Sequence, residues 1–439
     1  MDPYGSFMFA PNDPDAIFTY GAPALKFGPG ARHEIAADLA RFAPKRVLIV
    51  TDAGVAATGA PDELAEQVRA TGVVVVVFAD TRVEPTDGSL NAAVDFARSS
   101  GPFDVIIAFG GGSSIDTAKA VNLLVTNDGE LMDFINAPVG RAKAPLRPLL
   151  PLIAVPTTTG TGSESTTICV LDVVAQNIKT GISHAALRPT YAVVDPELTY
   201  TQPAGVTAAA GLDVLCHALE SYTARSYTSY EAKQPNQRVP YCGSNPISDL
   251  WSQRAMSLMS TSFVAAVRDG GDKAAREQMA LAATFAGLGF GNAGVHIPHA
   301  NAYPIAGQVG DFQPADYPEP DGTIDHGLVP HGMAVSMTAP AAFRFTFSAA
   351  PERHLEAARL LDPTAPMTAD PADFLPSVLT SLMQRVGVPS GLAELGFGSS
   401  DLDRLAEGTM KQQRLLSTAP KEVTEQDVLA ILADSVELW

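Results

Sequence analysis

The 439-residue sequence has few cysteines and no long apolar run. Its three cysteines, Cys169, Cys216 and Cys242, form neither an even set nor a metal-binding spacing. They favour a reducing compartment in which the thiols are buried and unpaired. No segment approaches the roughly 18–20 apolar residues that span a bilayer, since VVVVVF at 73–78 is only of strand length. The first residues show neither a basic leader with an apolar core nor an Arg-rich presequence, so we expect a soluble, cytoplasmic protein.

Basic residues are also scarce. The chain has 29 Lys and Arg against 48 Asp and Glu, which gives a formal net charge of −19. This balance argues against nucleic acid or an anionic membrane as the main partner. An anionic ligand would therefore need a local source of positive charge, such as a metal ion, an Arg/Lys cluster or helix N-termini. The length predicts two or three domains, and 46% hydrophobic with 18% charged residues is typical of a globular protein.

The first half of the chain alternates apolar strand-like runs with amphipathic helical segments. Strands are predicted at 46–51, 73–78 and 104–110, and helices at 61–71, 89–100 and 114–126. Such alternation indicates a parallel sheet covered on both faces. Three further runs, 152–156, 167–173 and 191–195, continue the β content. We predict a Rossmann-like α/β dinucleotide-binding domain over residues 1–203.

After residue 203 the long segments are rich in Ala, Leu and Met with helical spacing, and no convincing strand follows. Helices are predicted at 204–224, 247–269, 272–289, 328–347, 353–361, 373–386, 401–415 and 424–435. We therefore predict an all-α domain over residues 204–439. Two irregular inserts, Arg225–Pro246 and Gly307–Pro330, interrupt it, and long structureless loops inside compact domains are often functional.

Two loops of the first domain suggest a nucleotide site. In FGGGSSIDTAK (109–119), Gly110, Gly111 and Gly112 allow a close backbone approach, and Ser113 lies where helix N–H groups can hold a phosphate. The second loop, VPTTTGTGSES (155–165), places Thr157, Thr158 and Thr161 directly after a strand. Asp52 ends the first strand of the regular pattern; its carboxylate either accepts hydrogen bonds from a ribose, which favours NAD over NADP, or caps a turn.

The second domain contains a possible metal site. In GLDVLCHALESY (211–222), Asp213 and His217 are four residues apart on a predicted helix, so both fall on one face. A carboxylate and an imidazole arranged in this way make half of a divalent-metal site. The histidines of HIPHANAYP (296–304) and of LVPHG (328–332) can supply the rest, but spacing alone does not choose between His296 and His299.

These motifs together resemble a known family. VTD after a strand, GGGSSIDTAK, PTTTGTGSE, GLDVLCHALESY and VPHG occur in the order seen in the iron-containing, or group III, alcohol dehydrogenases. The resemblance extends from about residue 20 to beyond residue 340. It implies an N-terminal α/β domain that binds NAD and a C-terminal helical domain, an architecture shared with dehydroquinate synthase. It also implies a divalent metal, Fe²⁺ or Zn²⁺, in the cleft between the domains.

Within this family the chain is most similar to the hydroxyacid-oxoacid transhydrogenase and 4-hydroxybutyrate dehydrogenase branch. The segments that carry this likeness are 178–199, 241–251, 291–307 and the insert before VPHG. The implied reaction is reversible oxidation of a small hydroxy acid such as 4-hydroxybutyrate. In a transhydrogenase, 2-oxoglutarate would take the hydride back while the nicotinamide stays bound.

The resemblance also implies roles for individual residues. Asp213, His217, His299 and His331 would be the metal ligands, and Lys179 would lie near the cofactor. The family has a second histidine four residues after the ligand; here Tyr303 occupies that position. Tyr303 and His296 are the candidate catalytic residues, although His296 is equally well explained as a packed helix histidine.

A substrate with a carboxylate also needs a cation to bind it. Arg225 and Arg238 in the first insert are the main candidates, with Lys233, Lys179 and Arg188 as others. We expect a small-molecule substrate and a dimer or larger homo-oligomer. The alternatives are a reductase of simple aldehydes or maleylacetate, a metal-dependent lyase or synthase of the same architecture, and a non-catalytic nucleotide-binding module.

Overall fold

The computed structural model describes residues 13–176, 178–314, 317 and 327–439. Every strand within these residues lies before residue 195. The strands are β1 (Ala24–Phe27), β2 (Arg46–Val50), β3 (Val74–Phe78), β4 (Val105–Gly110), β5 (Leu152–Pro156), β6 (Ile168–Val173), β7 (Ile178–Ser183) and β8 (Tyr191–Val194).

Helices connect the strands and then make up the remainder of the chain. In the first half they are α1 (Ile35–Asp38), α2 (Ala53–Ala56), α3 (Ala60–Arg69), α4 (Asp87–Ser100), α5 (Gly112–Thr126) and α6 (Leu131–Phe134). In the second half they are α7 (Ala204–Thr223), α8 (Pro246–Arg268), α9 (Lys273–Ala293), α10 (Ile297–Gln308), α11 (His331–Thr346), α12 (Pro351–Leu361), α13 (Phe374–Val386), α14 (Leu402–Met410), α15 (Gln413–Leu416) and α16 (Glu425–Asp434).

Six strands form a parallel sheet in the order β1-β8-β5-β4-β2-β3. The central strands β4 and β5 are buried along their whole length, which agrees with their continuous Val, Ile and Ala content and with helices on both faces. The parallel sheet predicted from the sequence is confirmed. Strand β1 was not predicted, because ALKF is short and is followed by a Gly-Pro-Gly turn.

The strand order reverses between β2 and β4. From β2 the chain moves outward to β3, then returns to the other side of β2 and continues through β4 and β5. Ligands in open α/β sheets bind beyond the carboxyl ends of the strands at such a reversal. Asp52 follows β2 and Gly111 follows β4, so the fold places both residues at this point.

A small antiparallel sheet of β6 and β7 stands apart from the main sheet. Its register pairs Asp172 with Lys179. The sequence predicted β6 but not β7, whose Lys, Thr and Gly residues weaken the strand signal. This second sheet brings the Lys179 side chain towards the helical half.

The second half is helical as predicted, and its core is built around α7. Helix α7 packs against α8, α9 and α11, and its apolar side chains belong to the largest buried cluster. The change from alternating strands and helices to helices alone near residue 203 agrees with the predicted division. The domain boundaries themselves stay a prediction. Helix α10 was not predicted, since Pro298 and Pro304 both lie within it.

The two predicted inserts differ in how much of them is described. Residues 225–245 contain two short 3₁₀ turns between α7 and α8. Much of the second insert, 315–316 and 318–326, lies outside the described residues. Within the described residues no single helix is long and apolar enough to cross a bilayer; α9 and α10 together meet that test by length and composition, with a bend of 103° between them.

Candidate metal centre and cofactor site

Helix α7 presents an acidic and an imidazole side chain to the interior. Asp213 and His217 are 2% and 4% exposed, and His217 Nε2 lies 3.6 Å from Asp213 Oδ1. The His217 ring stacks on Phe290 of α9 with 3.8 Å between ring centroids. This packing fixes the His217 ring. The four-residue spacing places both donor residues on one face of α7.

Two further imidazoles reach the same carboxylate oxygen. His299 Nε2 lies 3.5 Å and His331 Nε2 lies 3.9 Å from Asp213 Oδ1. Donor atoms of Asp213, His299 and His331 all lie within 4.8 Å of one another. Ligands about 2.0–2.2 Å from a tetrahedral ion are separated by roughly 3.3–3.6 Å. The donors of Asp213, His299 and His331 therefore have nearly the separation that a divalent ion requires, and His217 Nε2 lies 3.6 Å from the shared Asp213 Oδ1.

Several of these buried polar atoms have no hydrogen-bond partner among the described residues. They include Asp213 Oδ1 and His299 Nε2. An unpaired buried polar group is costly, and native proteins rarely retain one without a reason. A carboxylate with three imidazoles is also a donor set suited to Fe²⁺ or Zn²⁺. The residues present thus fit a divalent metal ion.

Glu220 holds His299 in the orientation that this site needs. Its Oε1 is 2.6 Å from His299 Nδ1, and its Oε2 accepts a 2.6 Å hydrogen bond from the backbone N–H of His296. Glu220 is fully buried. Burial lowers the pKa of His299, but Glu220 and Asp213 outweigh it and raise that pKa to about 9. A carboxylate behind a histidine in this way fixes the ring and aims Nε2 at the metal position.

His331 enters the site from α11, of which it is the first residue. Its side chain is 31% exposed, more than those of Asp213, His217 and His299, so this is the open side of the cluster. The following glycine lets α11 approach α7: a Cβ at Gly332 would lie 2.7 Å from the Asp213 Cβ. This close approach explains why the VPHG motif ends in glycine.

The structure does not bring His296 to the cavity. The residue precedes α10, is fully buried, and its Nε2 lies 3.1 Å from Thr223 Oγ1. Its ring packs edge-on against Phe343. Burial lowers the pKa of His296 to about 4. His296 therefore lies behind Glu220. It is a packed histidine, which was the alternative to a catalytic role in the sequence analysis.

Tyr303 lies one turn after His299 on α10 and faces the same cavity. This cavity is bordered by Asp213, His217, His299 and His331. The Tyr303 ring centroid is 6.3 Å from that of His331. Burial raises the pKa of Tyr303, so its phenol stays protonated near neutrality. Tyr303 thus borders the cavity as a protonated phenol beside the candidate metal ligands.

The glycine loop after β4 borders the other side of the same cavity through Gly112 and Ser113. Space is tight at Gly110, where a Cβ would lie 3.1 Å from Asp52 Oδ2 and would also clash with Ser114. Asp52 accepts hydrogen bonds from Val55 N at 2.9 Å and Ser114 Oγ at 3.0 Å. Asp52 therefore caps α2, which is one of the two roles considered for it from the sequence. It also lies at the sheet reversal where a ribose would bind.

The N-terminus of α5 is open to a ligand. Its N-cap, Gly111, has no side chain to bind the first N–H groups, and a Cβ there would meet nothing closer than Thr158 at 3.5 Å. Free N–H groups at the start of a 15-residue helix make a site for phosphate. Thr161 packs against Gly112, and the Thr157 N–H donates to the Gly110 carbonyl at 3.1 Å. These residues fit a dinucleotide phosphate.

Lys179 reaches the cavity between two acids. Its ammonium forms an ion pair with Glu84 and lies 3.2 Å from Asp172 Oδ2. Burial alone would lower the pKa of Lys179, but the two carboxylates raise it. Glu84 has a left-handed φ of 57°, a conformation that costs free energy in a non-glycine residue. Lys179 thus borders the cavity with its charge already balanced by two carboxylates.

The two arginines predicted to bind substrate do not border the cavity within the described residues. Arg225 bonds to Ser229 and stacks over Tyr230. Arg238 pairs with Asp15 at 3.1 Å. The Arg225 guanidinium has its partners within its own insert, and the Arg238 guanidinium has partners in the N-terminal segment, which the sequence could not reveal.

Four residues were missed as site residues: Glu84, Tyr241 and Arg414, which border the cavity, and Glu220, which lies behind His299. Glu220 carried a signal, because Asp213, His217 and Glu220 follow helical spacing on one face of α7. Arg414 carried none, since it lies more than 80 residues beyond VPHG.

Comparison with known proteins gives one family for both halves of the chain. Residues 22–196 match the iron-containing alcohol dehydrogenase family, and residues 240–310 and 326–436 match the C-terminal part of the Fe-containing alcohol dehydrogenase family. The mitochondrial hydroxyacid-oxoacid transhydrogenase of Mus musculus is 41% identical over 430 residues, 97% of this chain and 91% of that protein.

Solved structures agree with the sequence matches. A 1,3-propanediol oxidoreductase superposes with a TM-score of 0.81 and 28% identity, covering 95% of this chain and 100% of the other. The sulfoacetaldehyde reductase of Bifidobacterium kashiwanohense, solved with NAD⁺, gives 0.78 and 26%, covering 96% and 99%. The predicted fold and the predicted family are both confirmed. The chain belongs to the iron-containing alcohol dehydrogenase family of oxidoreductases.

Proposed function

We propose that this enzyme transfers hydride between NAD and a small hydroxy acid of the 4-hydroxybutyrate type, and that 2-oxoglutarate is the second substrate of a transhydrogenase cycle. The observation that carries the proposal is a single cavity that contains both the unpaired donor atoms around Asp213 and the glycine loop at the start of α5. The 41% identity to a hydroxyacid-oxoacid transhydrogenase supports the substrate class.

Asp213, His217, His299 and His331 would hold the metal. When bound, a divalent ion lowers the pKa of an alcohol in one direction and polarises a carbonyl in the other. Glu220 would fix the His299 ring during turnover, and the Phe290 ring would fix His217. Three of the four donor residues are almost fully buried, so within the described residues the site is most open on the side of His331.

The glycine loop and the threonines after β5 would hold the pyrophosphate, with Asp52 on the ribose side. NAD supplies the nicotinamide carbon that accepts or returns the hydride. Lys179, fixed between Glu84 and Asp172, would orient the nicotinamide end. The phenol of Tyr303 would donate a hydrogen bond to the substrate oxygen, because burial keeps it protonated.

The two half-reactions balance each other. Oxidation of 4-hydroxybutyrate releases a hydride from carbon and a proton from oxygen and leaves succinate semialdehyde. Reduction of 2-oxoglutarate takes up one hydride and one proton and leaves 2-hydroxyglutarate. The retained nicotinamide carries the hydride between them, so no external oxidant is consumed.

Three further features belong to this proposal. We infer iron rather than zinc from the family, although both suit the same ligands. The α/β domain would comprise residues 1–203 and the helical domain 204–439, and the enzyme would be a dimer or larger oligomer. A cytoplasmic location stays a prediction; Cys169, Cys216 and Cys242 are all unpaired and buried, which suits a reducing compartment, and the mouse relative is mitochondrial by name.

Incubation of the as-isolated protein with 4-hydroxybutyrate and 2-oxoglutarate, without added NAD, tests the proposal. We expect succinate semialdehyde and 2-hydroxyglutarate in equal amounts. Formation of neither product, with full metal occupancy, would overturn the transhydrogenase. If added NAD then restores oxidation, the enzyme is a dehydrogenase that releases its cofactor. Equal turnover of carboxylate-free alcohols would instead favour a general alcohol dehydrogenase.

A further inference from the structure

The charges around the cavity are almost all balanced. Glu84 pairs with Lys179. Asp116 accepts hydrogen bonds from Ser163 Oγ at 2.6 Å and Val170 N at 2.8 Å. Asp213 faces the three imidazoles. Among the described cavity residues, Arg414 is the cation for which no carboxylate lies within 4 Å.

Arg414 lies on α15 and is half-buried. Its guanidinium carbon is 5.5 Å from the centre of the Tyr241 ring, which supports the planar group without neutralising it. The protein as a whole carries a net charge of −19. A cation without a carboxylate partner at the cavity therefore contrasts with the overall negative charge of the chain. Such a charge is suited to an anionic ligand.

The surroundings of Arg414 strengthen its attraction for an anion. Val170, Phe290, Val295 and Leu415 line the same cavity and belong to one apolar cluster or pack against it. A low local dielectric makes a charged pair stronger than it is in water. Burial raises the pKa of Tyr241 to about 12, so its hydroxyl remains a neutral donor beside the guanidinium.

Tyr303 connects this end of the cavity to the metal ligands. Its ring is 6.3 Å from that of His331, and both Tyr303 and Arg414 border the cavity. Arg414 and the four metal donors therefore face one shared space. A small molecule can contact both ends.

We propose that Arg414, assisted by Tyr241, binds the carboxylate of the substrate and sets its distance from the reacting carbon. This inference rests on the proposed function. In 4-hydroxybutyrate the carbon that loses hydride is separated from the carboxylate carbon by two methylene groups. In 2-oxoglutarate the same two methylenes separate the keto carbon from the distal carboxylate. One fixed cation therefore serves both half-reactions.

This spacing between carboxylate and reacting carbon defines the proposed substrate class. It comprises acids in which two methylenes separate the reacting carbon from a carboxylate; 3-hydroxypropionate is one methylene too short and 5-hydroxypentanoate is one too long. Arg414 is thus a specificity-determining residue. It makes no contribution to alcohols that lack a carboxylate.

The test compares Arg414→Met and Arg414→Lys with wild type and with Arg404→Met, a control on α14 whose exposed guanidinium pairs with Asp401. For Arg414→Met we expect kcat/KM for 4-hydroxybutyrate to fall on the order of 100-fold, mainly through KM, because a buried charge-assisted pair is lost. The preference over 3-hydroxypropionate and 5-hydroxypentanoate should disappear. Turnover of 1-butanol should be unchanged, and Arg414→Lys should recover part of the loss.

A binding measurement separates this inference from the proposed function. Butyrate has the carboxylate but no hydroxyl, so its affinity for the metal-loaded, NAD-bound protein can be measured by calorimetry without turnover. We expect Arg414→Met to weaken it on the order of 100-fold at unchanged metal content and Tm. Equal losses for 4-hydroxybutyrate and 1-butanol, or unchanged butyrate affinity, would overturn the role of Arg414. If wild type oxidises no hydroxy acid yet binds butyrate through Arg414, only the proposed function is wrong.

Discussion

Two buried clusters of this protein look alike in the sequence and differ in the structure. Asp116 and Lys119 lie three residues apart on α5, and Asp213 and His217 lie four apart on α7. In the first cluster the Lys119 ammonium donates to Ser163 Oγ at 2.7 Å, Thr166 Oγ1 at 3.0 Å and the Ile168 carbonyl at 2.7 Å. In the second, Asp213 Oδ1 and His299 Nε2 have no partner among the described residues.

The difference teaches how a structural cluster is told from a ligand site. Lys119 is fully buried, and every hydrogen-bonding need is met within the chain, so this cluster ties α5 to β6. Around Asp213 the donors converge but leave their facing atoms unpaired. Burial of unpaired polar atoms is unfavourable unless something else binds them. We therefore expect the first cluster to govern stability and the second to govern metal binding.

Removal of the Asp213 charge should have the largest effect. The Asp213→Asn variant keeps the shape of the side chain but removes the negatively charged carboxylate that faces the three imidazoles. We expect kcat/KM for hydroxy-acid oxidation to fall on the order of 1,000-fold, since the metal accounts for several kcal/mol of transition-state stabilisation. Metal content by mass spectrometry should fall with it.

Asp128→Asn is the matched control for Asp213→Asn. Asp128 is 88% exposed and pairs with Arg147 at the surface. Its loss should leave metal content and activity as in wild type. Full metal occupancy in Asp213→Asn would contradict the comparison.

The Lys119→Met variant tests the structural cluster. It leaves Asp116 buried without its cation, and a broken buried pair typically costs about 3–5 kcal/mol. We expect the free energy of unfolding to fall by that amount in denaturant titrations, while the metal content of the folded protein stays close to one ion per chain. A loss of metal without a loss of stability would reverse the roles assigned to the two clusters.

Glu220 sharpens the comparison of the two clusters because it is the hydrogen-bond partner of His299 in the second cluster. The Glu220→Gln variant removes the charge behind His299 but not the ligand itself. We expect the metal affinity to fall roughly 10- to 100-fold, as is usual when a carboxylate behind a metal-bound histidine is lost. Glu407→Gln, an exposed acid paired with Lys411 at 2.9 Å, should bind metal as wild type does. Unchanged affinity in Glu220→Gln would show that packing alone orients His299.

A pH-dependent effect is expected at Glu164, next to Ser163 of the structural cluster. Burial raises the pKa of Glu164 to about 7 from 4.5. The folded state then holds a proton that the unfolded state releases between these values, so wild-type stability falls as pH rises from 4.5 to 7. Glu164→Gln should match wild type near pH 4.5 and exceed it by about 3 kcal/mol near pH 8. A difference independent of pH would mean that Glu164 is ionised in the folded protein.

The sequence predicted the central strands and most helices well, because their apolar periodicity is strong. Strands β1 and β7 were missed because each is short or polar, and the prolines of α10 hid that helix. Those elements are held by tertiary contacts rather than by local preference. Their absence from the prediction did not affect the fold class.

The site was predictable in part. Spacing on α7 identified Asp213 and His217, but it did not distinguish His296 from His299, since both are buried histidines three residues apart. The structure separates them because α10 begins at Ile297 and leaves His296 outside the helix, turned towards Thr223. Arg414 was unpredictable for a different reason: it approaches Tyr241 only through the packing of the last helices.

The most direct test of the account is anomalous diffraction from crystals of the metal-loaded protein, recorded at the iron and zinc absorption edges. The account predicts one strong peak per chain, within bonding distance of Asp213 Oδ1 and of one ring nitrogen from each of His217, His299 and His331. A peak bound elsewhere, or none at this position in crystals of active enzyme, would contradict it.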